Sequence, residues 1–101
     1  MGKTSMVMIQ TSELILETGA TFRQVDYWCR YGVIPTIGEH LPGSGINRKF
    51  NNEIIPRVKI LVKVSKAMGG RVDINILKTI YKNFGLGFVE LSDNVVLSWR
   101  V

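Results

Sequence analysis

The stretch that decides the fold covers residues 21–50 and reads TFRQVDYWCRYGVIPTIGEHLPGSGINRKF. It begins with Thr21, a residue suited to cap a helix, and continues with arginines and aromatic residues. Its last part, residues 43–50, contains glycines and then the adjacent basic residues Arg48 and Lys49. Glycines at such positions are typical of a turn or loop. The stretch therefore predicts a short capped helix followed by a basic, glycine-hinged loop.

Four helices are predicted, each from a polar cap, apolar residues at helical spacing and a glycine that ends it. We expect them over residues 13–18, 22–31, about 53–68 and 74–84. Their caps are Thr11 or Ser12, Thr21 with Gln24 completing a capping box, Asn51 or Asn52, and Asp73. The glycines that follow them are Gly19, Gly32, Gly69 and Gly85. The short turn between the first two helices fits the spacing of a helix-turn-helix.

Extended segments are predicted in two places. Residues 36–50 contain several glycines and prolines, and we expect a β-hairpin or loop there, with Ile37 and residues 48–50 as short flanking strands. Residues 85–101 alternate on both sides of Ser92-Asp93-Asn94, which predicts a C-terminal hairpin. Residues 1–8 are expected to form a flexible leader. The chain is interpreted as one domain, 1–101, mainly α with small β.

Composition narrows the classes of function. The 13 basic and 8 acidic residues give a net charge of +5, which supports an anionic partner without proving one. No apolar run reaches the ~18 residues of a membrane span, and no secretory signal is recognised. With Cys29 as the one cysteine and a single histidine, the sequence contains no internal disulfide, metal site or catalytic set. We therefore expect a cytoplasmic protein that is not an enzyme and needs no cofactor.

The order of motifs over residues 10–84 resembles the DNA-binding domain of the mercury-resistance-regulator (MerR) family. On the second helix that family has an arginine, an aromatic pair, and then Arg-x-Gly with two aliphatic residues. The corresponding residues here are Arg23, Tyr27-Trp28 and Arg30-Tyr31-Gly32-Val33-Ile34. The family's wing pattern, Gly-x-x-Arg-x-aromatic, is matched by residues 45–50, and Glu53 stands where an acidic residue often opens the next helix.

The resemblance implies a winged helix-turn-helix, in which the second helix enters the major groove of double-stranded DNA and the wing hairpin contacts the backbone. The residues expected to contact DNA are Thr21, Phe22, Arg23, Tyr27, Arg30, Ser44, Asn47, Arg48 and Lys49. Members that sense metals or drugs continue into a long dimerisation helix, whereas this chain continues into a hairpin. We therefore expect no effector, and the short members, such as phage excisionases and small regulators, look closer.

The residues of the second helix each have a structural alternative. Arg23 contacts a base edge or a phosphate, or it is simply solvated. Tyr27 is expected to face DNA and Trp28 the core, because adjacent helical residues point about 100° apart; the alternative for Tyr27 is a core tyrosine. Arg30 reaches a phosphate or pairs with Asp26 four residues earlier. Asp26 is expected to orient Arg23 or Arg30.

The remaining candidates are weighed in the same way. Arg48 and Lys49 point in opposite directions on a strand, so one reaches the DNA backbone and the other lies along the wing, unless the hairpin is merely charged. A lone loop histidine such as His40 is more often only exposed. Cys29 is expected to be a small, semi-buried residue rather than a reactive thiol.

The sequence thus predicts a small, nucleoid-associated phage or bacterial protein that binds specific DNA sequences and regulates transcription. One alternative is an excisionase-like factor that bends DNA for a recombinase, and another is a protein-interaction module that kept the fold without DNA binding. A homodimer or a head-to-tail oligomer is expected on DNA, with a recombinase or RNA polymerase as further partners. The C-terminal hairpin, with Trp99 near its exposed end, is either an interface or, as slightly favoured, a cover for the core.

Overall fold

The structure, a computed structural model, describes residues 7–37 and 48–100. These residues form an α-dominant fold of four helices and two small antiparallel strand pairs. The helices are α1 (Thr11–Thr18), α2 (Phe22–Arg30), α3 (Ile55–Ala67) and α4 (Ile74–Lys82). The strands are β1 (Met8–Gln10), β2 (Lys49–Asn51), β3 (Phe88–Ser92) and β4 (Val95–Ser98). Short 3-10 helices, Asn52–Ile54 and Phe84–Leu86, precede α3 and follow α4.

The start of α2 confirms the predicted capping box. The hydroxyl of Thr21 accepts the backbone N–H of Gln24 at 3.0 Å, and the Gln24 side chain accepts the N–H of Thr21 at 3.0 Å. Both donors would otherwise lack an intrahelical partner. The cap of α1 was predicted wrongly, because this helix begins two residues earlier, after Gln10, whose N–H donates to the Glu13 carboxylate at 3.2 Å. Thr11, one of the predicted caps, is buried inside the helix.

The predicted helix ends are largely confirmed. Gly19 has a φ of +80° and donates its N–H to the carbonyl of Ile15 at 2.9 Å, which is how a left-handed residue stops a helix. Gly32 has a φ of +78° after α2. Asp73 caps α4 as predicted, with its carboxylate accepting the N–H of Asn75. Helix α4 ends at Lys82, earlier than predicted, because the chain tightens into the second 3-10 helix.

Strand β1 was not predicted, and its Met8 falls within the expected leader. It pairs antiparallel with β2, placing Ile9 opposite Phe50, and both side chains are buried. Ile37 is tied to β2 by one bond, from its N–H to the carbonyl of Lys49 at 2.9 Å. The predicted wing hairpin falls mostly on residues 38–47, which lie outside the described residues. The observed partner of β2 is therefore β1.

The core lies between the four helices. Trp28 is 3% exposed, which confirms its predicted place in the interior. Of the apolar stripe predicted on α3, Ile60, Leu61 and Val64 are buried, but Met68 is 40% exposed because α3 has already ended. Among residues 7–37 and 48–100, no helix combines the length and apolar character that crossing a bilayer requires.

The C-terminal hairpin is confirmed and covers the core. Strand β3 packs against α4, and Val89 is buried. Asn94 adopts a φ of +65° in the turn that joins β3 to β4, a conformation that asparagine tolerates. The indole N–H of Trp99 donates to the carbonyl of Phe84 at 3.1 Å, so Trp99 is half-buried and does not mark an exposed end.

Alanine substitutions at the two glycines next to this hairpin should have opposite effects on stability. Gly87 has a φ of +81°, and a Cβ there would lie 3.3 Å from the carbonyl oxygen of Trp99. Gly87→Ala should therefore lower the free energy of unfolding by about 1–2 kcal/mol. Gly85→Ala meets nothing within 4 Å, and we expect it to be neutral or stabilising by up to about 1 kcal/mol. Urea unfolding measures both variants, and equal losses would contradict the assigned conformations.

Candidate nucleic-acid interface

One side of α2 is exposed and carries basic and aromatic side chains. Arg23, Tyr27 and Arg30 are four and three residues apart, which places them on the same side of a helix. Arg23 is exposed, Tyr27 is 46% exposed, and the Arg30 side chain is 66% exposed. Val25 and Trp28, on the other side, are buried. The predicted division between an outward Tyr27 and an inward Trp28 is confirmed.

Tyr31 extends this exposed side, although it was not among the predicted contact residues. Its ring centroid lies 4.7 Å from that of Tyr27, with the planes tilted by 56°. The signal in the sequence was the four-residue spacing, which brings side chains together on a helix. We refer to Arg23, Tyr27, Arg30 and Tyr31 as the α2 face.

The first turn of α2 adds two more predicted contact residues. Thr21 is exposed, but its hydroxyl already accepts a bond within the capping box. Phe22 is 44% exposed. A surface groove of about 240 Å³ lies beside this turn, between α2 and the residues that follow α3. Its lining residues are Thr21, Arg23, Gln24, Tyr27, Trp28, Ser65, Gly70, Val72 and Leu77.

Asp26 is the centre of an ion-pair cluster. Its two carboxylate oxygens accept bonds from Arg30 Nη2 at 2.6 Å and from Arg48 Nη1 at 2.9 Å. Asp26 therefore orients Arg30, as expected. It also orients Arg48, which immediately precedes β2, and not Arg23. The hydrogen bond from Arg48 is the main cause that holds the pKa of Asp26 below its ordinary value of 3.8.

Arg48 requires a correction. It was predicted to contact the DNA backbone from the wing, but its side chain is only 6% exposed and is directed at Asp26. A buried guanidinium is stable only when it is paired, and here the pairing partner is a carboxylate on another element. Its Nε is buried without a hydrogen-bond partner in the described part of the chain. Arg48 is thus a structural link and not a free surface cation.

Two contacts involve the described residues next to the predicted wing. The Asp26–Arg48 pair bonds the residue that precedes β2 to α2, and the N–H of Ile37 donates to the carbonyl of Lys49 in β2. Between Ile37 and Arg48 lies the wing segment, residues 38–47. The predicted contacts Ser44 and Asn47, and also His40, lie in this segment, outside the described residues.

Lys49 points away from Arg48, as strand alternation predicts. Its side chain is exposed, whereas Arg48 and Phe50 on either side are buried. Lys49 lines a groove with β1 and with Glu13 near the start of α1. The structure therefore places Lys49 beside β1 rather than in the α2 face.

Two lysines of α4 lie next to the end of α2 and were not predicted. The Nζ of Lys78 would lie 3.8 Å from a Cβ on Gly32, and Lys78 and Lys82 line a groove with residues 32–35. Cations near the C-terminal end of a helix interact favourably with its dipole. No local sequence pattern predicts this proximity, because α4 and the end of α2 are far apart in sequence.

Cys29 is half-buried, and its burial raises the pKa of the thiol to about 11. The thiol is therefore protonated at neutral pH and a poor nucleophile. The partial burial confirms the prediction of a semi-buried cysteine. Within residues 7–37 and 48–100, no three His, Cys, Asp or Glu side chains lie close enough together to hold a metal ion.

Removing Asp26 should lower the stability of the fold more than removing Arg30 does. Asp26→Ala leaves Arg48 as an unpaired buried charge and should cost about 3 kcal/mol. Arg30→Ala removes a partner whose side chain is 66% exposed, and this loss should stay within about 0.5 kcal/mol. The double variant Asp26→Leu/Arg48→Met removes both charges and should recover part of the loss. Urea unfolding measures all three, and a small cost for Asp26→Ala would contradict the role of the pair.

The same pair predicts a dependence of stability on acid. Because the folded pKa of Asp26 is lowered, its contribution is fully present above the unfolded pKa and is lost as pH falls through the folded pKa. The difference in unfolding free energy between wild type and Asp26→Ala should therefore shrink as pH falls from about 5 through the lowered folded pKa of Asp26. Denaturant unfolding over this range measures it. A difference that does not change with pH would show that Arg48 does not stabilise the ionised carboxylate.

Comparisons with protein-family models, with curated proteins and with solved structures found no match for this chain. The resemblance to the mercury-resistance regulators therefore depends on the motif residues alone.

Proposed function

We propose that this protein is a small, effector-independent DNA-binding protein of winged helix-turn-helix type that regulates transcription. In this proposal α2 enters the major groove, and the segment between Ile37 and Arg48 acts as the wing on the backbone beside it. The observation that carries the proposal is the α2 face, with two arginines and two tyrosines exposed on one side of a capped helix.

The first turn of α2 supports the orientation of this helix. Its backbone N–H groups and the helix dipole favour negative charge, and helices of this architecture insert their N-terminal residues toward base edges. Arg23 lies in this turn and is exposed. Its guanidinium has the fork geometry to bond the O6 and N7 atoms of guanine, or to clamp a phosphate. Arg23 is therefore the proposed base-reading residue.

The charge balance around Asp26 favours a polyanionic partner. A free carboxylate on this helix would repel phosphates, but Asp26 is bonded to both Arg30 and Arg48. One carboxylate against two guanidinium groups leaves this cluster with a positive charge. Lys78 and Lys82 add cations where α2 ends. The phosphate term in the affinity comes from such cations and weakens as salt increases.

The two tyrosines favour a second candidate function. Tyr27 and Tyr31 are 46% and 50% exposed and contact each other. Tyrosine and arginine are enriched at protein–protein interfaces, so the same α2 face is suited to a protein partner. A protein-interaction module would bind duplex DNA weakly or without dependence on salt, which separates the two functions.

A titration of labelled random-sequence duplex at two salt concentrations tests the DNA-binding proposal. We expect binding that weakens steeply with salt, because counterions are released from the phosphates. Arg23→Ala should weaken binding, whereas Lys63→Ala, which removes an exposed cation of α3 outside the α2 face, should change it little. Fluorescence anisotropy measures the affinities. Absence of salt-dependent binding by the wild type would overturn the proposal.

The role of Arg23 is tested further on a duplex selected for tight binding. A base-reading arginine predicts that Arg23→Ala loses about 1–3 kcal/mol of discrimination at one base pair. Equal losses on selected and random duplexes would restrict Arg23 to phosphate contact. An excisionase-like role would use the same contacts, and a bend in the bound duplex, measured by circular permutation, would favour it.

A further inference from the structure

Strand β4 is the outer strand of the C-terminal hairpin. One of its edges is bonded to β3, which packs against α4. Within the described residues, no strand pairs with its other edge. That edge presents a row of backbone N–H and C=O groups, which is a template for a further strand.

The two strands differ in how their edges are protected. Proteins usually block a free edge with a bulge, a charged residue or a proline. Strand β3 has an irregularity in register between Glu90 and Ser92, and Glu90 is charged. Strand β4 reads Val-Val-Leu-Ser, with neither a charge nor a proline. Of the two strands of this hairpin, β4 is therefore the one whose edge is open to pairing.

The exposed surface around β4 includes several apolar side chains, together with Glu90, which lies opposite Val96 on β3. Val95 is 47% exposed and Val96 is 54% exposed. Phe88 on β3 and Leu86 in the preceding 3-10 helix are 48% and 65% exposed. Grouped apolar side chains of this kind mark interaction surfaces more often than scattered ones do.

The charges at the two ends of β4 favour a second copy of the same strand as the partner. The exposed Asp93 stands in the turn before β4, and the exposed Arg100 follows its end. A second copy of the same strand, placed antiparallel with Val96 opposite Val96, brings Asp93 of each copy opposite Trp99 of the other, one position from Arg100. A parallel arrangement brings like charges together, which is unfavourable. The segment is thus complementary to itself in the antiparallel direction.

We propose that β4 pairs antiparallel with β4 of a second copy, forming a four-stranded sheet across a two-fold axis at Val96. This register places Val96 opposite Val96 and Val95 opposite Leu97. Apolar side chains then face apolar ones, which is an arrangement that stabilises a strand pair. A two-fold axis uses the same surface of both copies, as most soluble dimers do.

Analytical ultracentrifugation of the free protein tests the association. A small interface binds weakly, so the range should extend from about 1 µM to about 1 mM. We expect a reversible monomer–dimer equilibrium in wild type and at least a tenfold weaker one in Val96→Lys, which places a charge on the edge. The matched control is Leu16→Lys, since Leu16 is 83% exposed on α1, and it should dimerise like wild type. Circular dichroism and urea unfolding verify that both variants fold.

A disulfide test defines the register. Residues directly opposite in an antiparallel pair have Cα atoms about 4.5–5.5 Å apart, within the range of a disulfide. In a Cys29→Ser background, Val96→Cys should form a covalent dimer on mild oxidation, and Leu16→Cys should not. A wild type that stays monomeric over the whole range would overturn the proposal. So would a Val96→Lys dimer as tight as that of wild type, or equal cross-linking at the two cysteine positions.

These measurements use no DNA. Dimerisation without duplex binding would leave this inference intact while removing the proposed function. Duplex binding by a strict monomer would do the opposite.

Discussion

The salt bridge between Asp26 and Arg48 is the constraint on which the arrangement of this molecule depends. It connects residues 22 positions apart, one on α2 and the other at the start of β2, with a donor–acceptor distance of 2.9 Å. Since the guanidinium is almost fully buried, removing or protonating the carboxylate should destabilise the fold. Beyond this point, β2 pairs with β1 and leads into α3, so the position of α2 is linked to both of these elements.

The same interaction separates the arginines by role. Arg48 is buried and holds the helix, whereas Arg30 is exposed but restrained by its bond to Asp26. Within the described residues, Arg23 has no ion pair, so its guanidinium is free to accept an external partner. The buried Arg48 neutralises Asp26, which removes a negative charge from the surface that carries Arg23. A structural pair thereby sets the electrostatics of the α2 face.

Local signals in the sequence predicted most of the elements, and non-local contacts account for what was missed. The Thr21 capping box, the stop at Gly19 and the C-terminal hairpin each depend on residues within a few positions of one another. Strand β1 was missed because it is three residues long and gains its stability only from β2, about 40 positions later in the chain. The burial of Arg48 was missed for the same reason. A charged residue is predicted to be exposed unless its partner is known, and no periodicity in the sequence identifies that partner.

The symmetry of the proposed dimer restricts how the proposed DNA interface is used. An interface formed by two identical β4 edges consumes both of them, so it closes at two copies and cannot extend into a head-to-tail array. If α2 reads DNA in such a dimer, the target must be an inverted repeat, with half-sites about 34 Å, one helical turn, or a multiple of that apart. Direct repeats in a footprint would therefore argue that any association on DNA uses a surface other than β4.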